Sequence, residues 1–173
     1  MENSIFFCPQ EGDIALKLLG LDQATNILGY AIFDDGELTH YGALDFSSGT
    51  TPAAKISMIR HWLKETIAEH EIEVMGMEDT QLQQNPQIFK TLSQLLGVVE
   101  NVAYESGLQY YVVKSASWKS TCGIKGRQRA EQKRSAQAHI LTKYGIKATQ
   151  DVADAICIGE HTLRLCKEYA WGE

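Results

Sequence analysis

Residues 19–33, with the sequence L-G-L-D-Q-A-T-N-I-L-G-Y-A-I-F, contain two apolar runs separated by a short polar turn. The first run ends in Asp22, and the second passes through Gly29. Apolar runs of this length with a tight connection predict two adjacent strands of a buried sheet. A carboxylate at the end of a buried strand loses hydration, so its charge needs a partner or a bound ion. Asp22 is therefore the first candidate functional residue.

Apolar runs and turn signals divide the rest of the chain into further strands and helices. We expect strands at residues 15–22, 27–34, 38–46, 73–78 and 109–113. We expect helices from Pro52 through Ile67, from Pro86 to about Ser106, from Gln128 to Tyr144 and from Thr149 to about Lys167, with a short helix or loop around Trp118. The first three strands form an antiparallel meander, whereas the last two are reached through helices, as parallel neighbours are. The predicted fold class is α/β, with a five-stranded mixed sheet flanked by helices.

The length of 173 residues is sufficient for one domain with a buried core. We expect residues 1–13 to form a polar N-terminal lead-in and residues 14–173 to form a single domain. No apolar run approaches the roughly 20 residues of a membrane span, and the N-terminus shows no charged and apolar leader. The expected location is the cytoplasm, without membrane contact.

Cysteine spacing carries no metal or disulfide signal. The four cysteines are Cys8, Cys122, Cys157 and Cys166. They are scattered, and no C-x-x-C pair is present, which argues against both a structural zinc site and a disulfide framework. We expect reduced thiols without a functional role, and we expect His139 to be structural or exposed.

Basic residues are concentrated between Lys114 and Lys147, although the whole chain has a net charge of −6. This segment holds nine Lys and Arg residues and one acid, Glu131. A local basic segment on an acidic protein predicts contact with nucleic acid, and the alternative is a solvated helix face. Lys125, Arg127 and Arg129 of this segment crowd a loop flanked by glycines.

Three further acids occupy positions where a mixed sheet would bring them to Asp22. Glu78 ends the fourth predicted strand, while Asp151 and Asp154 share one face at the start of the last helix. The positive end of the helix dipole favours their ionised form. Oxygen donors without His or Cys suit Mg²⁺ or Mn²⁺, and two such ions roughly 3.5–4 Å apart catalyse phosphodiester hydrolysis. Each acid alone also fits a structural role as a turn cap, an ion-pair partner or a helix N-cap.

Three motifs resemble those of the RuvC family of Holliday-junction resolvases, in the same order and at similar spacing. They are L-G-L-D at 19–22 followed by Gly29-Tyr30, M-G-M-E at 75–78, and Q-D-V-A-D-A-I-C-I at 150–158. The resemblance runs from about Leu16 to Leu163, nearly the whole chain. The D-x-x-D-A step on a helix is its most specific part, since a strand that ends in aspartate is common.

The resemblance implies a ribonuclease-H-like fold, with which the predicted order of strands and helices is compatible. It implies a nuclease that nicks opposed strands of a four-way DNA junction, using two Mg²⁺ per active site or Mn²⁺ in their place. It also implies a homodimer, for which the broadly apolar helix at 86–106 is the expected interface. The residues that match the family's four acidic positions are Asp22, Glu78, Asp151 and Asp154. Lys119 and Lys133 lie about where the family places phosphate-contacting lysines, and Lys119 is the expected catalytic cation. The residues that we therefore expect to contact DNA are Lys119, Lys125, Arg127, Arg129 and Lys133. Four-way junctions and other branched DNA are the expected partners.

The sequence departs from the family pattern at two places. Gln23-Ala24 follows the first aspartate, where the family usually has Pro-Gly. Gln81 stands where the bacterial enzymes carry an aromatic residue, three positions after the glutamate. The first departure alters the turn beside the acid, and the second bears on junction opening and sequence preference. Both indicate a divergent branch of the family, such as a phage-type enzyme.

Two alternatives stay open at this point. Another nuclease of the ribonuclease-H-like fold, such as a ribonuclease H or an RNA-processing relative of RuvC, would use similar acids. A non-catalytic DNA-binding module would keep the basic segment, and its acids would only tune solubility.

Overall fold

The computed structural model describes residues 16–81 and 85–170. The strands are β1 (Lys17–Asp22), β2 (Ile27–Asp34), β3 (Glu37–Asp45), β4 (Val74–Glu78) and β5 (Gln109–Val113). The helices are α1 (Pro52–His70), α2 (Pro86–Glu105), α3 (Ser115–Thr121), α4 (Arg129–Tyr144) and α5 (Gln150–Ala170). These bounds agree with the predicted ones to within about three residues. The predicted lead-in at 1–13 and the start of the first strand at residue 15 lie outside the described residues.

The five strands form one sheet in the order β3-β2-β1-β4-β5. The pairs β1–β2 and β2–β3 are antiparallel, and the pairs β1–β4 and β4–β5 are parallel. The predicted meander and the predicted mixed sheet are therefore confirmed. β1 lies at the centre, where its C-terminal end has a parallel neighbour in β4.

Short-range signals in the sequence explain where the elements begin and end. Asp35 and Gly36, with φ of 51° and 83°, form the left-handed turn of the β2–β3 hairpin. Thr51 and Asn85 accept hydrogen bonds from the first turns of α1 and α2, as N-cap residues do. Gly145, with φ of 72°, ends α4 in the left-handed conformation.

Helices cover both faces of the sheet, so the strands contribute to two apolar cores. Leu19 and Leu21 of β1 pack with residues of α1 and α2 on one face. Leu18 packs with residues of α3, α4 and α5 on the other face, as the two-residue period of a strand requires. Among the described residues, no helix combines the length and the apolar character needed to span a membrane.

Candidate active site

Asp22 and Glu78 lie side by side at the C-terminal ends of β1 and β4. These strands are parallel, and their register pairs Leu21 with Met77, so the next residue on each strand is the carboxylate. The C-terminal ends of adjacent parallel strands meet at the same edge of a sheet. Main-chain pairing of the sheet therefore sets the position of both acids.

The first turn of α5 lies against this edge because glycines allow its backbone to approach the sheet. Gly29 pairs with Asp22 in the β1–β2 register, and a Cβ on Gly29 would lie 2.0 Å from the main-chain oxygen of Asp151. A Cβ on Gly20 would lie 2.6 Å from another main-chain oxygen of α5. Side chains at these positions would push the helix outward. The glycines thus bring Asp151 and Asp154 to the strand ends.

All four predicted acids line one cleft of about 580 Å³. The predicted DNA-contacting residues that also line it are Lys119, Arg127, Arg129 and Lys133. Lys125 is not part of this lining; it is exposed, and its main-chain N–H donates to Ser135 Oγ at 2.9 Å. Eight of the nine residues predicted for the site therefore meet in one place.

The electrostatics of Asp22 show how closely the acids are grouped. Burial raises its pKa well above the ordinary value, and the negative charges of Asp154, Glu78 and Asp151 raise it further. The positive charge of Arg129 acts in the opposite direction without cancelling the rise. Desolvation and like charges both disfavour an ionised carboxylate. Without a bound cation, the acids of the cleft therefore repel one another.

Glu78 and Asp154 are perturbed in the same direction. Burial raises the pKa of Glu78, against the Ser115 hydroxyl and the positive charge of Lys119. Burial also raises the pKa of Asp154 to about 6, and the charge of Glu78 adds to this rise. A hydrogen bond from Gln150 Nε2 to Asp154 Oδ2, at 3.4 Å, opposes it. Burial is the largest effect on both groups, and the polar and positively charged side chains nearby do not cancel it.

Helix α3 places a buried tryptophan and a lysine beside the acids. Trp118 is 1% exposed and packs in one of the two apolar cores. Its indole N–H lies near the Glu78 carboxylate but makes no hydrogen bond to the described residues. Lys119 Nζ lies 5.1 Å from the centroid of the Trp118 ring, in cation–π contact. Its charge reaches both Glu78 and Asp154.

Gln23, one of the two departures from the family pattern, binds the main chain of Glu78. Gln23 Nε2 donates to the carbonyl oxygen of Glu78, and Gln23 Oε1 accepts from its N–H at 3.2 Å. The side-chain amide therefore adds one more pair of hydrogen bonds between the ends of β1 and β4. A proline at this position has neither an amide donor nor an amide acceptor in its side chain. Gln23 thus makes a connection between the two acidic strand ends that a Pro-Gly turn lacks.

Several residues of the cleft were not predicted from the sequence. They are Asp79, Thr80, Ser115, Gln132 and Gln150. Two of them had a signal in the sequence: Ser115 lies two residues after the end of β5, and Gln150 lies four residues before Asp154 on α5. Gln81, the second departure from the family pattern, also lines the cleft.

The cleft is chemically suited to divalent metal ions and to a polyanion. Its acids offer hard oxygen donors, which Mg²⁺ and Mn²⁺ prefer, and their mutual repulsion is the kind that a bound cation relieves. The surrounding Lys and Arg side chains suit the phosphates of a nucleic acid. Sites that hold two divalent ions between carboxylates are used by phosphatases, polymerases and nucleases.

Comparison with known proteins identifies the family. A family model described as crossover junction endodeoxyribonuclease RuvC matches residues 18–160. The RuvC of Clostridioides difficile is 24% identical over 148 residues, which cover 82% of this chain and 86% of that protein. The RuvC of Halorhodospira halophila is 26% identical over 144 residues, with 81% and 85% covered.

The fold is shared with a solved structure of T. thermophilus RuvC in complex with a Holliday junction substrate. The TM-score is 0.70 at 15% sequence identity, with 90% of this chain and 97% of that chain covered. This similarity confirms the predicted ribonuclease-H-like fold. The chain belongs to the crossover junction endodeoxyribonuclease RuvC family, as its three motifs predicted, and the predicted class of enzyme is confirmed with it.

Proposed function

We propose that this protein is a metal-dependent DNA endonuclease that resolves four-way junctions by paired nicks and also acts on other branched DNA. Family membership supports the proposal, and so does the complex of the T. thermophilus relative with a Holliday junction substrate. The observation that carries it is the cleft itself, where acids from β1, β4 and α5 meet within a basic rim. A non-catalytic DNA-binding module has no use for four mutually repelling carboxylates.

The acids are proposed to hold two Mg²⁺ ions, for which Mn²⁺ substitutes. The proposed ligands are Asp22, Glu78, Asp151 and Asp154. When bound, the ions supply an activated water and stabilise the leaving oxygen of the phosphodiester. The protein holds these oxygen donors at one edge of the sheet, where strand pairing, Gln23 and the close approach of α5 keep them in place.

The basic residues divide into one beside the acids and others along the rim. Lys119 is placed to stabilise negative charge on the reacting phosphate, since its own charge reaches two of the acids. Arg127, Arg129 and Lys133 are proposed to bind flanking phosphates, which gives affinity and salt dependence without sequence information. Lys125, outside the cleft, is proposed to contact a phosphate farther along the strand.

Paired nicks need two active sites, and α2 is the proposed interface of a homodimer. Leu95 and Val99 of this helix are buried in the core of their own chain. Ile88 and Tyr104 remain 50% and 78% exposed on the same helix. Apolar side chains outside the core-facing stripe are typical of helices that also contact a partner. We place the dimer in the cytoplasm, with its substrate DNA.

The test is cleavage of a synthetic four-way junction in Mg²⁺, with each strand end-labelled in turn. We expect nicks at symmetric positions in two opposed strands. Parallel reactions with flap DNA, an RNA–DNA hybrid and linear duplex at the same salt concentration distinguish a junction resolvase from a related nuclease. Preferential cleavage of the hybrid would contradict the proposal, and junction binding without cleavage of any substrate would favour a DNA-binding module.

Two variants with the same chemical change test the assignment of the acids. Asp154→Asn is expected to abolish cleavage while junction binding remains measurable. Asp79→Asn is the matched control, because Asp79 lines the same cleft but is not a proposed ligand. Full activity of Asp154→Asn, or an equal loss in both variants, would show that the proposed metal ligands are wrong.

A further inference from the structure

Three residues with metal-binding side chains meet between α3, α4 and α5, away from the residues that line the cleft. Cys122 ends α3, His139 belongs to α4 and Cys157 to α5. One ligating atom of each residue lies within 4.8 Å of the other two. Cys122 and Cys157 are 8% and 0% exposed, while the His139 side chain keeps 25% of its surface exposed. The cluster is therefore buried at its sulfur atoms and open to solvent on the His139 side.

Glu160, one turn beyond Cys157 on α5, completes the polar surroundings of this cluster. Glu160 Oε2 lies 2.8 Å from His139 Nε2 and 3.3 Å from Cys122 Sγ. Its other oxygen accepts hydrogen bonds from Tyr144 Oη at 2.7 Å and Lys143 Nζ at 2.8 Å. One carboxylate oxygen thus faces the cluster while the other is fixed by α4. Thiols that served only to fill the core would not need an imidazole and a carboxylate beside them.

We propose that Cys122, His139, Cys157 and Glu160 bind one Zn²⁺ ion. Zinc takes four ligands of the Cys, His and carboxylate types in tetrahedral geometry. With bond lengths of roughly 2.0–2.3 Å, its ligand atoms are separated by roughly 3.3–3.8 Å. The ligating atoms of Cys122, His139 and Cys157 already lie within 4.8 Å of one another. Glu160 Oε2 lies 2.8 Å from His139 Nε2 and 3.3 Å from Cys122 Sγ, so binding requires the His139–Glu160 hydrogen bond to open as both side chains turn toward the ion. The two thiolates and the imidazole are softer donors than the four acids of the cleft, so the two sites select different metals.

Charge and proton balance are consistent with a buried zinc ion. Each cysteine thiol releases one proton to solvent when its sulfur bonds the metal, so two protons leave per ion and no electrons are transferred. The two thiolates then offset the double positive charge of Zn²⁺. Glu160 keeps its ion pair with Lys143, and His139 binds as a neutral imidazole. The site therefore buries no uncompensated charge.

The position of the site assigns it a bracing role. Each of the three elements that it joins also carries a residue of the cleft: Lys119 on α3, Lys133 on α4 and Asp154 on α5. The ion would link α3 and α4, which carry these lysines, to α5, which carries Asp151 and Asp154. Zn²⁺ bound only to the folded chain also stabilises it by mass action.

The first test uses the full-length wild-type protein, stripped of metal and kept reduced with a phosphine. Titration with Co²⁺ is expected to produce a thiolate-to-cobalt charge-transfer band and intense visible bands of tetrahedral Co²⁺, with an end point of one ion per chain. Zn²⁺ should then displace the Co²⁺ and remove the bands. The absence of a charge-transfer band in the wild-type protein would overturn the proposal without any need for a variant.

Variants locate the ion. Loss of an outer-shell partner weakens a metal site roughly 10- to 100-fold, so Cys122→Ala and Cys157→Ala, which each remove a ligand, should weaken Zn²⁺ binding by more than about 100-fold. Cys166→Ala is the matched control, because Cys166 is also partly buried on α5 but lies outside the cluster. His139→Gln tests the same site at a partly exposed position, in case the buried variants fold poorly. Unchanged affinity in the cluster variants, or a loss in Cys166→Ala, would overturn the proposal.

A last variant separates this site from the catalytic cleft. Asp154→Asn should leave the Co²⁺ charge-transfer band and the Zn²⁺ stoichiometry unchanged, and excess Mg²⁺ should not compete. If Asp154→Asn removed the zinc, the ion would belong to the carboxylate cleft, and the Cys122–His139–Cys157–Glu160 assignment would be wrong.

Discussion

Asp154 and Glu160 are partly buried carboxylates on the same helix, but their surroundings act on them in opposite directions. Asp154 faces other acids, and burial together with the charge of Glu78 raises its pKa to about 6. Burial alone would also raise the pKa of Glu160. Hydrogen bonds from Lys143, Tyr144 and His139 outweigh that effect and hold the pKa of Glu160 below its ordinary value.

The two carboxylates therefore affect the stability of the metal-free protein in opposite directions. At Glu160 the protein supplies its own donors, so the charge is compensated before any ligand arrives. At Asp154 the compensation is left incomplete, so the folded protein without metal retains an electrostatic repulsion that a bound cation removes. Sites that bind ligands often reduce the stability of the free protein in this way. Substitutions that remove the charge of Asp154 and of Glu160 should therefore change the free energy of unfolding in opposite directions.

The largest effect is expected for Glu160→Ala. The Glu160 side chain is 9% exposed, and its removal leaves His139 and Tyr144 without their acceptor. Lys143 is 52% exposed and can be hydrated once its partner is lost, so the main cost is that of the bonds from Tyr144 and His139 to the charged acceptor. Hydrogen bonds to a charged group contribute about 1.5–3 kcal/mol each, and we expect a loss of about 3 kcal/mol in urea unfolding with EDTA present. Glu168→Ala is the control, since Glu168 forms an exposed pair with Arg164 on the same helix and should change stability by less than about 1 kcal/mol. An equally small change in stability for Glu160→Ala would contradict the proposed difference between Glu160 and Asp154.

Asp154→Asn should stabilise the protein without metal. The rise of the Asp154 pKa from 3.8 to about 6 implies a destabilisation of roughly 1–3 kcal/mol at neutral pH, at about 1.4 kcal/mol per pKa unit. Unfolding in EDTA should therefore show a gain for Asp154→Asn and almost none for Asp79→Asn. Mg²⁺ should raise the stability of the wild type more than that of Asp154→Asn. A less stable Asp154→Asn variant would mean that the repulsion is not significant.

The changes in the free energy of unfolding caused by Asp154→Asn and Glu160→Ala should also depend on pH with opposite signs. Below its unfolded pKa of about 4, Asp154 is protonated in both the folded and the unfolded protein, so it does not destabilise the fold there. The destabilisation by ionised Asp154 grows as pH rises to about 6 and is complete above that pH. The groups that face it are Glu78, Asp151, Asp22 and Lys119. Glu160 has a lowered pKa, so its stabilisation is complete above about pH 4.5 and is lost as pH falls through its folded pKa. From pH 7 down to 4, the gain of Asp154→Asn should shrink towards zero, whereas the loss in Glu160→Ala should shrink only below about pH 4.5. Parallel profiles for both variants would contradict the comparison.

The two regions also differ in how well they could be predicted from sequence. The acids were readable because each ends a strand or begins a helix, and positions of that kind converge at one edge of a mixed sheet. The partners of Glu160 come from two other helices, the end of α3 and one face of α4. Only tertiary packing brings Cys122, His139 and Lys143 to it. No periodicity or short spacing encodes such a contact. Lys125 was grouped with the DNA-contacting residues by charge alone, which says nothing of the side on which a loop presents it.

Gln23 tests whether the cleft depends on positioning as well as on charge. Its amide makes two hydrogen bonds to the Glu78 main chain, so Gln23→Ala should destabilise the protein by only about 1 kcal/mol. If the amide holds the two strand ends at the spacing that the metal ions need, the variant should also require roughly 10-fold more Mg²⁺ for half-maximal cleavage, as loss of a supporting residue typically does. Gln132→Ala is the control, because Gln132 lines the same cleft and its Nε2 also donates to a main-chain oxygen, that of Gly126, at 3.1 Å, without contacting Glu78. An unchanged Mg²⁺ requirement in Gln23→Ala would show that the Gln23 hydrogen bonds have only a local structural role. A higher Mg²⁺ requirement in Gln23→Ala but not in Gln132→Ala would explain how a chain without the Pro-Gly turn keeps Asp22 and Glu78 together.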